Sequence, residues 1–447
     1  MYTKFTSLCF VVFTLFTGNL RAQTWASLGP ADLLDSSVTA ICLNSAGTLY
    51  AAGYFVDDSN KTYVATWNGS AWVELGGVNA LAGNGKIDCI CADPAGNIYA
   101  AGNFTNDSGK YYVAKWNGSA WSEPGGANAL AANAEIYTLR CDAAGNVYAG
   151  GAFTNAAGFY YVAQYNGSAW SELGGVNALK ANLDVNSLYC DAQGNIYAGG
   201  NFRDSHGYEY VAKYNGTQWS ELGTAGQLAA NGPILAICAD NAGNFYAGGG
   251  FVNGHSKNYV AVYNGTTWTE LGGDNSLAAN NWIYTLAADA SGNIYAAGGF
   301  THNSYYVALY NGSWGALGGY GTLEAGNVIY SICVNNAGNV YTTKVYYPGT
   351  GSFNSVAEYG NFANGIADPP GACVALYPNP ATNVLTITGT GNFESVKIYN
   401  QTGQVVQQEV NLNTAKHSMP LAGVTPGMYY VQVTGSGKTA VQKLVVQ

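Results

Sequence analysis

Two carboxylates, Glu135 and Asp184, stand 49 residues apart at the same point of a text that repeats along the chain. A carboxylate pair at a defined separation is what acid–base cleavage of a glycosidic bond requires. Aligning the other repeats on that point gives Lys86, Pro233, Trp282 and Val328; two residues on, the repeats read Asp88, Tyr137, Asn186, Leu235, Tyr284 and Tyr330. These are the places where the repeats disagree. Ring faces for stacking, with amides and carboxylates for hydroxyl groups, make Lys86, Asp88, Glu135, Tyr137, Asp184, Asn186, Trp282, Tyr284 and Tyr330 a set suited to holding a sugar. Spacing alone does not make Glu135 and Asp184 an acid–base pair, so no catalytic residue is assigned. The plain alternative is a ring of solvated loop residues around an empty channel.

Other chemistry-bearing residues read as structural. His206, His255 and His302 fall in equivalent loops of successive repeats, which diverge toward a rim, and no metal is expected there. The turns led by Asp93, Asp142, Asp191, Asp240 and Asp289 each offer one carboxylate where calcium needs several oxygens. A nucleophile elbow and a phosphate-binding glycine loop are both missing, and no cofactor is expected.

The positioning elements follow from the stretch YYVAQYNGSAWSELGG, Tyr160 to Gly175. Two alternating runs flank Asn166-Gly167, the pair suited to a type I′ turn, so the stretch predicts a hairpin. Its tryptophan returns at Trp72, Trp121, Trp170, Trp219 and Trp268, each 49 residues from the last, then at Trp314. Before each hairpin come an apolar strand, an Asp/Asn-to-Gly turn and a strand of the NIYAGGNF type. Calling the four strands a to d, strands a, b and c occur seven times. The last c strand, Asn354 to Tyr359, has no tryptophan-bearing d strand after it. An orphan d strand, Trp25 to Leu28, stands instead at the start. Seven four-stranded sheets therefore close only as a ring, a seven-bladed β-propeller at 23–360 whose last blade takes its outer strand from 25–28. Strand a lines the central channel, which places the variable residues at its mouth.

Composition limits the partners. The 447 residues are 48% apolar and only 9% charged, with a net charge of -10 and no basic run, which excludes nucleic acid and anionic membranes as partners. Residues 1–22 read as a signal peptide: Lys4, the apolar run Leu8 to Phe16, then a cleavage site at Leu20-Arg21-Ala22. No segment is apolar for long enough to span a membrane. Cys42, Cys91, Cys238 and Cys333 share one repeat position and Cys141 and Cys190 its neighbour, with Cys89 and Cys373 apart. They are expected as small buried residues, because equivalent strands need not bring cysteines within bridging distance. Six N-G-S/T triplets fit the glycosylation sequon but are read as turns.

The aspartate turns and YAAG strands resemble bacterial β-propeller repeats of the SBBP type, and the tryptophan hairpin resembles kelch-like blades; this implies a propeller and says little of a ligand. After a linker at 361–373, residues 374–447 read as a small all-β domain, an Ig-like sandwich. Its blocks YPNPATNVLTI, VKIYNQTGQVV, TPGMYYVQV and GKTAVQKLVVQ resemble the type A C-terminal sorting domain of the bacterial type IX secretion system. That resemblance implies a Bacteroidota-type source and a secreted or surface-attached product. It also implies the translocon as a partner, with a sortase that removes the tail and attaches the cargo to lipopolysaccharide. The function expected is an exported propeller that binds or interacts, with a glycan or protein ligand on its face. The alternatives are an extracellular carbohydrate-active enzyme using the same mouth, a glycoside hydrolase or lyase, and a structural surface protein without a small ligand.

Overall fold

A computed structural model describes residues 23–29, 34, 36–77, 80–302, 304–346, 353–360, 374–377, 381–400, 404–435 and 438–446. The signal-peptide and linker assignments lie outside the described residues. The chain divides into two compact units, Met1–Asn361 and Phe362–Gln447. The first is an all-β propeller of seven four-stranded antiparallel sheets. In six of them the strands follow one another in order, as in Val185–Cys190, Ile196–Gly200, Ala212–Tyr214 and Trp219–Glu221. The seventh combines Ile332–Val334, Val340–Tyr346 and Phe353–Gly360 with the N-terminal strand Thr24–Leu28, which pairs Trp25 with Tyr359 and Leu28 with Val356.

Tryptophan links each blade to the one before. The Trp72 indole N–H donates to the Leu28 carbonyl at 3.0 Å, Trp121 to Leu75, Trp170 to Pro124, Trp219 to Leu173, Trp268 to Leu222 and Trp314 to Leu271. The Trp25 indole closes the circle on Leu317 at 3.0 Å. Each indole, buried at Trp72 and Trp268 and half-buried in the others, thereby satisfies its one polar atom at the blade boundary. Between blades lie apolar clusters such as Tyr148, Val162, Val185, Leu188, Ile196 and Phe202.

The hairpin turn differs from the expected type. Only the glycine takes a positive φ, 93° at Gly167. The Asn166 Oδ1 instead accepts from the backbone of Ser168 and Ala169, both at 3.0 Å, and from the Ser168 hydroxyl at 2.8 Å. Asparagine capture of its own turn yields a four-residue loop that leaves Tyr165 and Trp170 directly opposed, with rings 5.4 Å apart.

Five of the seven a–b turns are held by an aspartate. Asp142 Oδ1 accepts from the backbone N–H groups of Ala144 and Asn146, and Oδ2 from the Asn146 amide and the Tyr148 hydroxyl. All four acceptances are local, so this carboxylate is spent on the turn.

The second unit is a β-sandwich-like domain. Val374–Tyr377, Val384–Tyr399, Val405–Pro420, Gly427–Gly435 and Lys438–Val446 form one continuous antiparallel system around Leu385, Ile387, Val396, Ile398, Val431 and Leu444. Val384–Tyr399 is one long strand, whose register with Val405–Pro420 shifts between Thr388 and Phe393 without breaking, a bulge within a continuous ladder.

Candidate functional site at the channel mouth

A single backbone device positions the variable residues. In six blades the pairing of strands a and b slips at the second residue of strand a, between Ile87 and Cys89, Ile136 and Thr138, Val185 and Ser187, and equivalently in the others. A bulged residue leaves the ladder and its side chain is re-aimed. Thr39, Asp88, Tyr137, Asn186, Leu235 and Tyr284 are these bulged residues. The partner that allows the slip is the last glycine of strand b. A Cβ on Gly102 would stand 2.3 Å from the Lys86 carbonyl oxygen, and one on Gly200 2.0 Å from that of Asp184. Those carbonyls accept instead from Asn103 and Asn201 N–H, at 2.8 and 3.1 Å.

Blade 7 departs from the rule. Lys344 stands where the other blades have glycine, and the regular inner strand shortens to Ile332–Val334, three residues against six in each of the other blades. The Thr343 hydroxyl takes over as acceptor for the backbone N–H of Tyr330, at 3.0 Å, and of Ser331. Tyr330 is thus carried to the mouth by a side-chain bond.

The residues gather in two arcs. In blades 2 to 4, the Lys86 ammonium lies 2.6 Å from an Asp88 carboxylate oxygen and over the Tyr54 ring at 5.4 Å. Burial pushes the Asp88 carboxyl up from its ordinary value, Lys86 pulls it back and Glu135 adds to the rise. Tyr137 is raised by its burial and then by the charges of Glu135, Asp184 and Asp88. The Asn201 amide donates to both Asp184 carboxylate oxygens at 3.0 Å. Asn186 is half-buried on the same inner strand.

In blades 6 and 7, Trp282, Tyr284 and Tyr330 form a row with centroid separations of 6.1 and 6.0 Å. Trp282 is 42% and Tyr330 39% exposed. Gly250 leaves room for the indole: a Cβ there would lie 3.0 Å from Trp282 Cε2. Tyr54 and Asn201 are members of the mouth that the inner-strand alignment misses, since they come from the position just after the strand b glycine. That position reads Tyr54, Asn103, Ala152, Asn201, Gly250 and Gly299 and is as variable as the others.

Below the mouth the channel holds a cavity of about 380 Å³ whose lining includes Thr39, Asp88, Arg140, Thr285 and Tyr330. The three loop histidines stay apart: His206 meets Asp204 at 3.3 Å, His255 meets Asp274 at 3.1 Å, and His302 stacks on Tyr320. Among the described residues, no group of three or more His, Cys, Asp or Glu is placed to hold a metal ion. No helix of the described residues is long and apolar enough to cross a membrane.

Ring and mouth together define a seven-bladed β-propeller with a polar–aromatic channel entrance, followed in the chain by a separate β domain. Residues 375–447 match the family described as the secretion system C-terminal sorting domain. The protein is therefore a type IX secretion substrate, secreted or held at the cell surface. Among solved structures, it is similar to PorZ of Porphyromonas gingivalis, described as an essential bacterial surface component of the type IX secretion system. That similarity is 18% identity and a TM-score of 0.46 over 90% of this chain and 58% of that one. It is also similar to the extracellular domain of BT3049 from B. thetaiotaomicron, assigned to a hybrid two-component system. Here identity is 12% and TM-score 0.51, over 95% of this chain and 57% of that one. The chain spans less than two thirds of either structure, and the likeness to BT3049 is one of fold. No curated protein matches the sequence.

Proposed function

We propose that the propeller is a surface binding module that takes a glycan at the channel mouth. The observation that carries this reading is the row Trp282, Tyr284 and Tyr330, two of its three rings well exposed, standing at the same entrance as the polar arc of Lys86, Asp88, Glu135 and Asp184. Sugar rings stack their C–H faces on such aromatics, and the carboxylates and the Asn186 amide serve the hydroxyls. Binding fits better than hydrolysis, because Asp184 already takes both Asn201 bonds and Asp88 is engaged by Lys86. The tail engages the secretion translocon; we infer that a surface sortase then removes it.

The test is a glycan array on the secreted protein, followed by titration of any hit with the Trp282→Ala/Tyr284→Ala double variant. Loss of affinity by at least about tenfold is expected when two stacking rings go. Unchanged affinity would move the site away from the mouth. Polysaccharide cleavage that disappears in Glu135→Gln would replace binding by catalysis.

A further inference from the structure

The inner strands pack by a simple rule. The fifth residue of strand a faces the next blade and the sixth faces the preceding one. Thus Cys42 packs with Ala92 and Ile90, Cys238 with Leu286 and Ala288, and Cys333 with Leu43. Arg140 obeys it too, its Nε donating to the Leu188 carbonyl at 2.9 Å. Reading fifth against sixth residue around the ring gives Cys42 with Ala92, Cys91 with Cys141, Arg140 with Cys190, Tyr189 with Ala239, Cys238 with Ala288, Ala287 with Val334 and Cys333 with Leu43. Cysteine meets cysteine at one boundary alone, between blades 2 and 3. There the two sulfur atoms are 3.0 Å apart, within about 1 Å of a disulfide bond length. Cys91 and Cys141 share an apolar cluster with Leu139, Val147 and Ala149 and also line the channel cavity.

We propose that Cys91 and Cys141 are joined by a disulfide in the exported protein, a covalent staple between the inner strands Ile87–Ala92 and Ile136–Cys141. The route out of the cell crosses an oxidising compartment, where such a pair closes and persists. The oxidant is a protein disulfide of that compartment. One cysteine thiolate attacks it and expels the first carrier thiolate. The second cysteine thiolate then attacks the mixed disulfide and expels the other, so the carrier gains two electrons and, as its two thiolates take up the two protons the cysteines gave up, leaves as a dithiol. Packing opposes late closure: burial raises the Cys91 thiol, and the hydrogen bond to Cys91 together with burial raises Cys141. The bond accordingly forms before the two inner strands seal against each other.

The experiment uses the full chain collected after export, quenched in acid, unfolded and alkylated without reductant, then digested for mass spectrometry. A Cys91–Cys141 linked peptide pair is expected, with Cys42, Cys89, Cys190, Cys238, Cys333 and Cys373 all alkylated. After reduction Cys91 and Cys141 become alkylated as well. Recovery of either as a mostly free thiol, or linked to any other cysteine, overturns the proposal. A second readout is thermal: Cys91→Ala, Cys141→Ala and the double variant should all melt lower by the same amount, about 5 °C, since each removes the same cross-link. Effects that add in the double variant would mean two independently packed thiols and no bond.

Discussion

At the residue scale, the determining position is the last glycine of strand b. Gly200 faces the Asp184 carbonyl oxygen at a distance no side chain tolerates, and the consequence of that approach is the bulge at Asn186. Gly200→Ala must push the carbonyl away and with it the start of the inner strand. A loss of about 3 kcal/mol is expected in denaturant unfolding, together with displacement of Asp184 and Asn186 at the mouth. A cost under ~1 kcal/mol would mean that the two strands separate freely. The protein supplies its own comparison at Lys344, where the glycine is missing and the inner strand is shorter. Seen in the sequence, that lysine is one letter in a degraded repeat; its effect depends on how closely strand a approaches strand b. For the same reason Tyr54 and Asn201 were legible only as variable letters, while their place beside Lys86 and Asp184 comes from the bulge.

At the element scale, seven tryptophan N–H bonds run from blade to blade, and the first and last of them pass through the N-terminal strand. Trp25 donates to Leu317 of blade 6, and Leu28 accepts from Trp72 of blade 1. Thr24–Leu28 is therefore an outer strand of one blade and a contact surface for both of its neighbours. Removing residues 24–29 exposes the edge Phe353–Gly360 and takes Leu28 out of the core it shares with Val356 and Trp72. The propeller transition in calorimetry should fall by at least about 5 °C, counting the lost burial of a tryptophan and a leucine. Deleting residues 375–447 should leave that transition in place, because the tail has its own core. Equal shifts would contradict a ring held by its ends.

At the scale of the whole molecule, the chain carries an address and a cargo as separate units. The matched sorting domain at 375–447 directs export, while the variable residues sit on the propeller. Full-length protein is expected at the cell surface or in the medium, and a version lacking 375–447 is expected to remain inside the outer membrane, as fractionation and immunoblotting would read. A truncated protein found outside in equal amount would show that the tail is dispensable. At the mouth the repeats differ in chemistry, and a ring gathers that difference into two arcs rather than a line of sites.

Periodicity alone determined the ring, because tryptophan hairpins at a fixed step and a missing last strand leave a single way to pair every edge. The tail was equally legible, since its blocks keep their order to the C-terminus. The tertiary structure decided what stands next to what across a blade boundary. Lys86 meets Tyr54, Trp282 lines up with Tyr330, and Cys91 meets Cys141, whose repeat positions are not equivalent. Such contacts depend on the offset between neighbouring inner strands, set by bulge and twist in three dimensions, and a 49-residue spacing carries no record of it.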